Sequence, residues 1–143
     1  MIVVDDHLLL AILVGRASAT VPPFTEADEV FTTGSWYYRL ARAVHDPAFS
    51  GALSRRVAAL DPEIRGDVIA SLDELPAEVG VLSPRVLVPV MAELSGIGRF
   101  NHLHAEALAT ALVLPAGLRV AVASEVLRSA CSRLQINLTV SPA

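Results

Sequence analysis

The stretch Met1-Ile2-Val3-Val4-Asp5-Asp6-His7-Leu8-Leu9-Leu10-Ala11-Ile12-Leu13-Val14-Gly15 decides how this chain folds. Ile2 to Val4 is an unbroken β-branched run, the pattern of a strand covered on both faces. Asp5 and Asp6 end that run with two carboxylates. A capping carboxylate accepts orphan backbone N–H groups, and the helix dipole favours negative charge at that end. His7 to Val14 therefore reads as a short helix, closed by Gly15. A buried strand running directly into a helix is the opening of a parallel α/β unit.

The same alternation recurs along the chain. Pro22-Pro23 marks a loop. Val30 to Thr33 reads as a second strand, Gly34-Ser35 opens a helix through Val44, and Asp46-Pro47 breaks it. Ser50 to Leu60 carries Leu53, Val57 and Leu60 at helical spacing. Asp61-Pro62-Glu63 starts a helix whose apolar stripe is Ile64, Val68, Leu72 and Leu75. Val79 to Leu82 is a short strand. Ser83-Pro84 begins a helical stretch expected to kink or restart at Pro89. Gly96 and Gly98 form a loop, and Leu103 to Leu114 is helical. Leu118 to Ala123 reads as a second clear buried strand. Ser124-Glu125 caps a helix with Val126, Leu127, Ala130, Cys131 and Leu134 on one face. Ile136 to Val140 is a terminal strand.

Strands separated by helices imply parallel pairing and right-handed crossovers. The expected fold is a three-layer α/β/α sandwich with a central, mostly parallel sheet, forming one domain over residues 1–143. Ligands of such sheets sit outside the carboxyl ends of the strands. Asp5 and Asp6 lie at one such end, and Ser124 and Glu125 at another.

Composition narrows the chemistry. The 143 residues are 53% hydrophobic and 18% charged, which excludes a disordered chain. A formal charge of -4 offers no global cationic field for nucleic acid. All 11 basic residues are Arg, which excludes Lys Schiff-base chemistry and a P-loop lysine. One cysteine, Cys131, allows no intrachain disulfide and no Cys-rich zinc site, and fits a reducing, cytoplasmic setting. The acidic start lacks the positive region of a signal peptide, and no apolar run is long enough for a membrane span. Mean hydropathy is +0.53, so an apolar surplus is expected to serve a homo-oligomer or other partner.

Met1-Ile2-Val3-Val4-Asp5 followed by Leu8-Leu9-Leu10-Ala11-Ile12-Leu13 resembles the opening of the PIN-domain family, whose commonest small members are VapC-type toxins. Phe31-Thr32-Thr33 with Trp36 to Val44 is similar to the family's second strand and helix. His104 to Leu112 with Val120 to Leu127 is similar to its final helix–strand–helix segment. The resemblance implies a parallel sheet flanked by helices, a small antitoxin partner, and an RNA substrate. It also implies an acidic cluster holding Mg²⁺ or Mn²⁺, ions that activate water and stabilise a scissile phosphate. Asp5 matches the first acid. At the second the chain has Tyr37-Tyr38-Arg39, at the third His104, and at the fourth Ser124. Asp6, Glu106 and Glu125 stand near those positions in shifted register. The resemblance thus implies a toxin–antitoxin type domain related to metal-dependent endoribonucleases, with weakened or lost catalysis. Were it active, Asp5 would be the principal metal ligand. Asp6, Glu106 and Glu125 would assist, and Ser124 would hold a metal-bound water.

Each of these residues also has a plainer reading. Asp5-Asp6 reads equally as a pair of helix-capping acids. His102-Leu103-His104-Ala105-Glu106 would converge on a metal only as a strand; on a helix, His102 and Glu106 are neighbours and His104 is not. Trp36-Tyr37-Tyr38-Arg39 with Arg42 would stack on RNA, but Trp36, Leu40 and Val44 share a core stripe. Tyr37, Tyr38, Arg39, Arg42 and His104 are therefore candidates for a partner or RNA surface. Arg55, Arg56 and Arg65 read as a solvated helix face. Two further functions stay open: a noncatalytic interaction module, and an unrelated small α/β enzyme with a pocket at the strand ends.

Overall fold

The computed structural model describes residues 1–19, 28–46 and 51–142. The loop expected at Pro22-Pro23, the break at Pro47 and the helical start at Ser50 lie outside the described residues. The element order is β1 (Ile2–Val4), α1 (Asp6–Ala17), β2 (Val30–Thr32), α2 (Gly34–His45), α3 (Ala52–Ala58) and α4 (Pro62–Asp73), then β3 (Val79–Val81), α5 (Pro84–Leu94), α6 (His102–Val113), β4 (Gly117–Val120), α7 (Glu125–Leu134) and β5 (Leu138–Val140).

Five strands form one sheet in the order β3-β2-β1-β4-β5. Every pairing is parallel, with Val3 opposite Phe31 on one side and Leu118 on the other. The fold is α/β, and the sheet lies between two helical layers as the strand–helix alternation predicts. Strand β1 shows how the layers form. Its side chains alternate across the sheet. Ile2 and Val4 join Leu9, Leu13, Leu40, Val68 and Leu72 from α1, α2 and α4. Val3 points the other way, to Leu87, Leu108, Leu118, Leu127 and Cys131. Trp36, at the start of α2, also joins this second core.

Caps set most of the helix starts. Asp5, Thr33, Asp61, Ser83, Asn101 and Ser124 each accept a backbone N–H of the first helical turn. The larger departures from the sequence reading fall at the end of α1, the end of β4 and the start of β5, and at Pro89 the helix continues where a kink or a restart was expected. Helix α1 continues past Gly15 to Ala17, because Gly15 is buried in the packed helix and its propensity cost of about 1 kcal/mol is outweighed by packing. Helix α5 runs through Pro89 without restarting. Pro89 is exposed on that helix, so its missing N–H removes one helical bond and disturbs no core packing. Strand β4 stops at Val120, since the next backbone N–H, of Ala121, is taken by the Asp5 side chain. Strand β5 begins at Leu138, because Ile136 N–H instead closes the end of α7 on Cys131 carbonyl.

The strand order places a switch point at β1. The chain leaves β1 toward β2 and β3, then returns to build β4 and β5 on its other side. Crossovers on the two sides cover opposite faces, which opens a crevice at the carboxyl ends of β1 and β4. Among the described residues no helix is long and apolar enough to cross a membrane.

Candidate functional site

A cleft of about 180 Å³ lies at that switch point. Asp5, Asp6 and His7 from the end of β1 line it, with Val120 and Val122 from the end of β4. Trp36 and Arg39 of α2, Leu103 and His104 of α6, and Leu127 of α7 complete the wall. The position follows from topology, and the first two acids of the sequence reading fall inside it.

Asp5 is 6% exposed, and both of its oxygens are engaged. Oδ1 accepts Leu8 N–H at 2.9 Å, capping α1, and Oδ2 accepts Ala121 N–H at 2.7 Å. One carboxylate thus ties the end of β1 to the turn after β4. Burial pushes its proton affinity above the ordinary carboxyl value, and the two N–H donors oppose that shift in part.

Asp6 is 2% exposed. Its Oδ1 accepts the N–H of His7 at 3.0 Å. Its Oδ2 lies 3.3 Å from Arg39 Nη1, within ion-pair range, yet accepts no hydrogen bond. The Arg39 side chain is half-exposed and reaches the cleft from α2. Behind it, Arg56 of α3 places Nη1 2.9 Å from His7 Nδ1 and 3.2 Å from His7 carbonyl. Arg56 is therefore not on a solvated face, as its run with Arg55 suggested; it braces the first turn of α1. Arg65 is half-buried and points Nη2 at Ala58 carbonyl, 3.4 Å away.

The other candidates are dispersed. Glu106 is buried, but it faces the start of α2 and does not line the cleft. Its Oε1 accepts Gly34 N–H at 3.0 Å, its Oε2 accepts Ser35 N–H at 3.3 Å, and Ser35 Oγ donates to the same Oε2. A carboxylate at a helix N-terminus meets both free donors and the positive dipole end. His102 Nε2 stands 3.5 Å from Glu106 Oε2, the i, i+4 neighbour expected on a helix, while His104 turns toward the cleft. Burial lowers the proton affinity of His104, so its imidazole is favoured in the neutral form.

Ser124 is exposed and spends its hydroxyl capping α7, accepting Leu127 N–H at 3.2 Å. Glu125 is exposed and lines a separate groove with Arg99, Phe100 and Arg133. Tyr37 is half-buried, its hydroxyl donating to Leu72 carbonyl on α4, so it joins two helices. Tyr38 and Arg42 are exposed on the outer side of α2.

Sequence reasoning missed much of the apolar lining, and with it two residues at the edge of the site. Val122 is 82% exposed at the cleft mouth, and Arg56 stands behind His7. No local pattern marks either, since each meets the cleft through tertiary packing. A larger concavity, about 620 Å³, lies elsewhere, between Val88, Met91 and Ala92 of α5 and Phe100, His102 and Ala105. It holds no carboxylate and sits away from the strand ends, so it is not the switch-point site. Among the described residues no group of three or more His, Cys, Asp or Glu is placed to hold a metal ion. Neither a protein-family model nor a curated protein matches the chain.

Proposed function

We propose that this chain is a PIN-like domain of toxin–antitoxin type that has given up metal-dependent RNA cleavage and acts as a noncatalytic binding module. The observation that carries the reading is Arg39. Its guanidinium lies 3.3 Å from Asp6 Oδ2, supplying positive charge where a ribonuclease of this kind would need Mg²⁺ or Mn²⁺. A fixed cation there repels a second one. The donor set points the same way. Both Asp5 oxygens already accept backbone N–H groups, and Glu106, Ser124 and Glu125 serve other places in the fold. Hard divalent ions need several free oxygen ligands, and these residues do not fit one. The fold and the position of Asp5 at the end of β1 support descent from a PIN-type nuclease.

The test is an RNA cleavage assay with Mg²⁺ and Mn²⁺, comparing the native chain with Asp5→Asn. The expected result is no metal-dependent cleavage by either protein. Cleavage by the native chain that is lost in a folded Asp5→Asn variant would overturn the proposal.

A further inference from the structure

We propose that the face built by α5, the start of α6 and α7 docks an acidic amphipathic helix of a partner protein. Two open troughs meet there. The first, about 620 Å³, has Val88, Met91 and Ala92 of α5 on one wall and Ala105 of α6 on the other. The second, about 330 Å³, runs on to Val126 and Ala130 of α7. Gly98, Arg99 and Phe100 line both, so the two form one continuous groove. The Phe100 ring is the join. It is half-buried against the core shared by α5, α6 and α7, and Gly98 admits it closely, since a Cβ there would lie 3.0 Å from its Cζ. The floor is therefore apolar and set on packed helices. Val88 is 56% exposed and Val126 is 52% exposed, apolar surface that no described element covers.

Charge selects the partner. Twelve of the 15 acids precede Arg85; from Arg85 onward five arginines meet three acids, and one of those, Glu106, is buried in its contact with Gly34. Arg99 and Arg133 line the groove, with the carboxylate of Glu125 beside them. Arg85 stands three residues before Val88 and seven before Ala92, so helix geometry puts it on the same side of α5. Arg16 and Arg39 have carboxylate partners, whereas among the described residues Arg85, Arg99 and Arg133 have none. Arg133 donates to the Ile97 carbonyl at 3.3 Å. The rim thus holds unspent positive charge on a chain of formal charge -4, and it favours an acidic segment.

The walls are helices and a short loop. Backbone groups within helices are already paired, so the groove offers no strand edge for an extended peptide to join. A partner must satisfy its own backbone, as a helix does, and lay apolar side chains at i, i+3 and i+4 on the floor with carboxylates beside them. An oligonucleotide would meet the same arginines, but Val88, Met91 and Ala92 offer a sugar–phosphate chain nothing. The groove gives the binding module proposed above a partner and rests on that reading. It is separate from the switch-point cleft, so RNA cleavage would overturn the loss of catalysis, and failure of peptide binding would overturn the groove alone.

The probe is a library of random peptides of about 12 residues, long enough for a short helix, displayed on phage and selected on the whole folded chain. The selected sequences are expected to combine Asp or Glu with Leu, Ile or Phe at helical spacing. Synthesised with a fluorophore, the strongest of them should bind in fluorescence anisotropy, gain helicity on binding, and weaken as salt rises. Arg99→Glu and Val88→Asp alter exposed side chains, and circular dichroism checks that both variants fold. Each should weaken binding by about tenfold or more. Arg55→Glu makes the same charge change on α3, against the opposite core, and should leave the affinity within about twofold. No selected peptide, selection of basic or uncharged sequences, unchanged affinity in either folded groove variant, or displacement of the peptide by an equal concentration of single-stranded RNA overturns the proposal.

Discussion

Removing Glu106 should loosen the start of α2 and, with it, the wall that carries Trp36 and Arg39. The carboxylate accepts Gly34 N–H at 3.0 Å and Ser35 N–H at 3.3 Å, and takes the Ser35 hydroxyl as well. Hydrogen bonds to a charged group contribute about 1.5–3 kcal/mol each. The second amide bond is long, and Thr33 Oγ1 still accepts Trp36 N–H at 3.1 Å after truncation, so the helix keeps one cap. Gly34 is exposed, so water recovers part of its lost bond. The loss for Glu106→Ala is then about 3 kcal/mol, the lower end for two of the three bonds, the rest being recovered by water and the remaining cap. Glu106→Gln keeps one carbonyl acceptor and loses the charge, so about half that loss is expected. For a chain of this length about 3 kcal/mol corresponds to a fall in Tm of about 10 °C. Urea denaturation followed by circular dichroism at neutral pH measures both variants, with the slope unchanged. Gly34→Ala is a third probe, because a Cβ there would lie 3.2 Å from Glu106 Oε1 and displace the carboxylate. The double variant Gly34→Ala with Glu106→Ala should cost less than the sum of the singles. A loss under about 1 kcal/mol for Glu106→Ala, or full additivity, would refute the reasoning.

Two further outcomes follow from buried groups. Asp5 has a folded-state proton affinity raised by burial, so the native state holds the proton more tightly than the unfolded chain. Its contribution is therefore fully present below the unfolded value of 3.8 and is lost as pH rises through the higher folded value. The stability of the native chain relative to Asp5→Asn should accordingly be greater near about pH 4 than near about pH 7, as paired denaturation curves would show; a gap that widens with rising pH contradicts the shift. Cys131 is 1% exposed and its thiol is pushed up by burial, so it should be inert to a thiol reagent at neutral pH and react in full once the chain is unfolded. Rapid labelling of the folded chain would contradict its placement on the inner face of α7.

The fold was legible because its cues are local. Ile2 to Val4 needs no distant partner to read as a buried strand, and Asp61-Pro62 and Ser124-Glu125 announce helix starts by capping chemistry alone. Errors fell where tertiary contact overrode a local signal. Gly15 ends a helix in isolation, but its burial keeps α1 intact. The strand from Leu118 was read to Ala123, but Asp5 Oδ2, 116 residues away, takes the Ala121 N–H. The candidate site was half legible. Topology places Asp5 and Asp6 at the carboxyl end of β1, and the crevice rule needs nothing else. What spacing could not reveal is that Glu106 spends its charge on Gly34, 72 residues away, or that Arg39 turns inward to Asp6 from the end of the aromatic run. Both are side-chain choices made by packing.

The measurement that bears most directly on the noncatalytic reading is a calorimetric titration of the native chain with Mn²⁺, beside Asp5→Asn. With Arg39 against Asp6 and both Asp5 oxygens engaged, no stoichiometric site is expected below millimolar concentration, and the two proteins should give the same trace. A saturable one-to-one site in the native chain that disappears in the folded Asp5→Asn variant would contradict it.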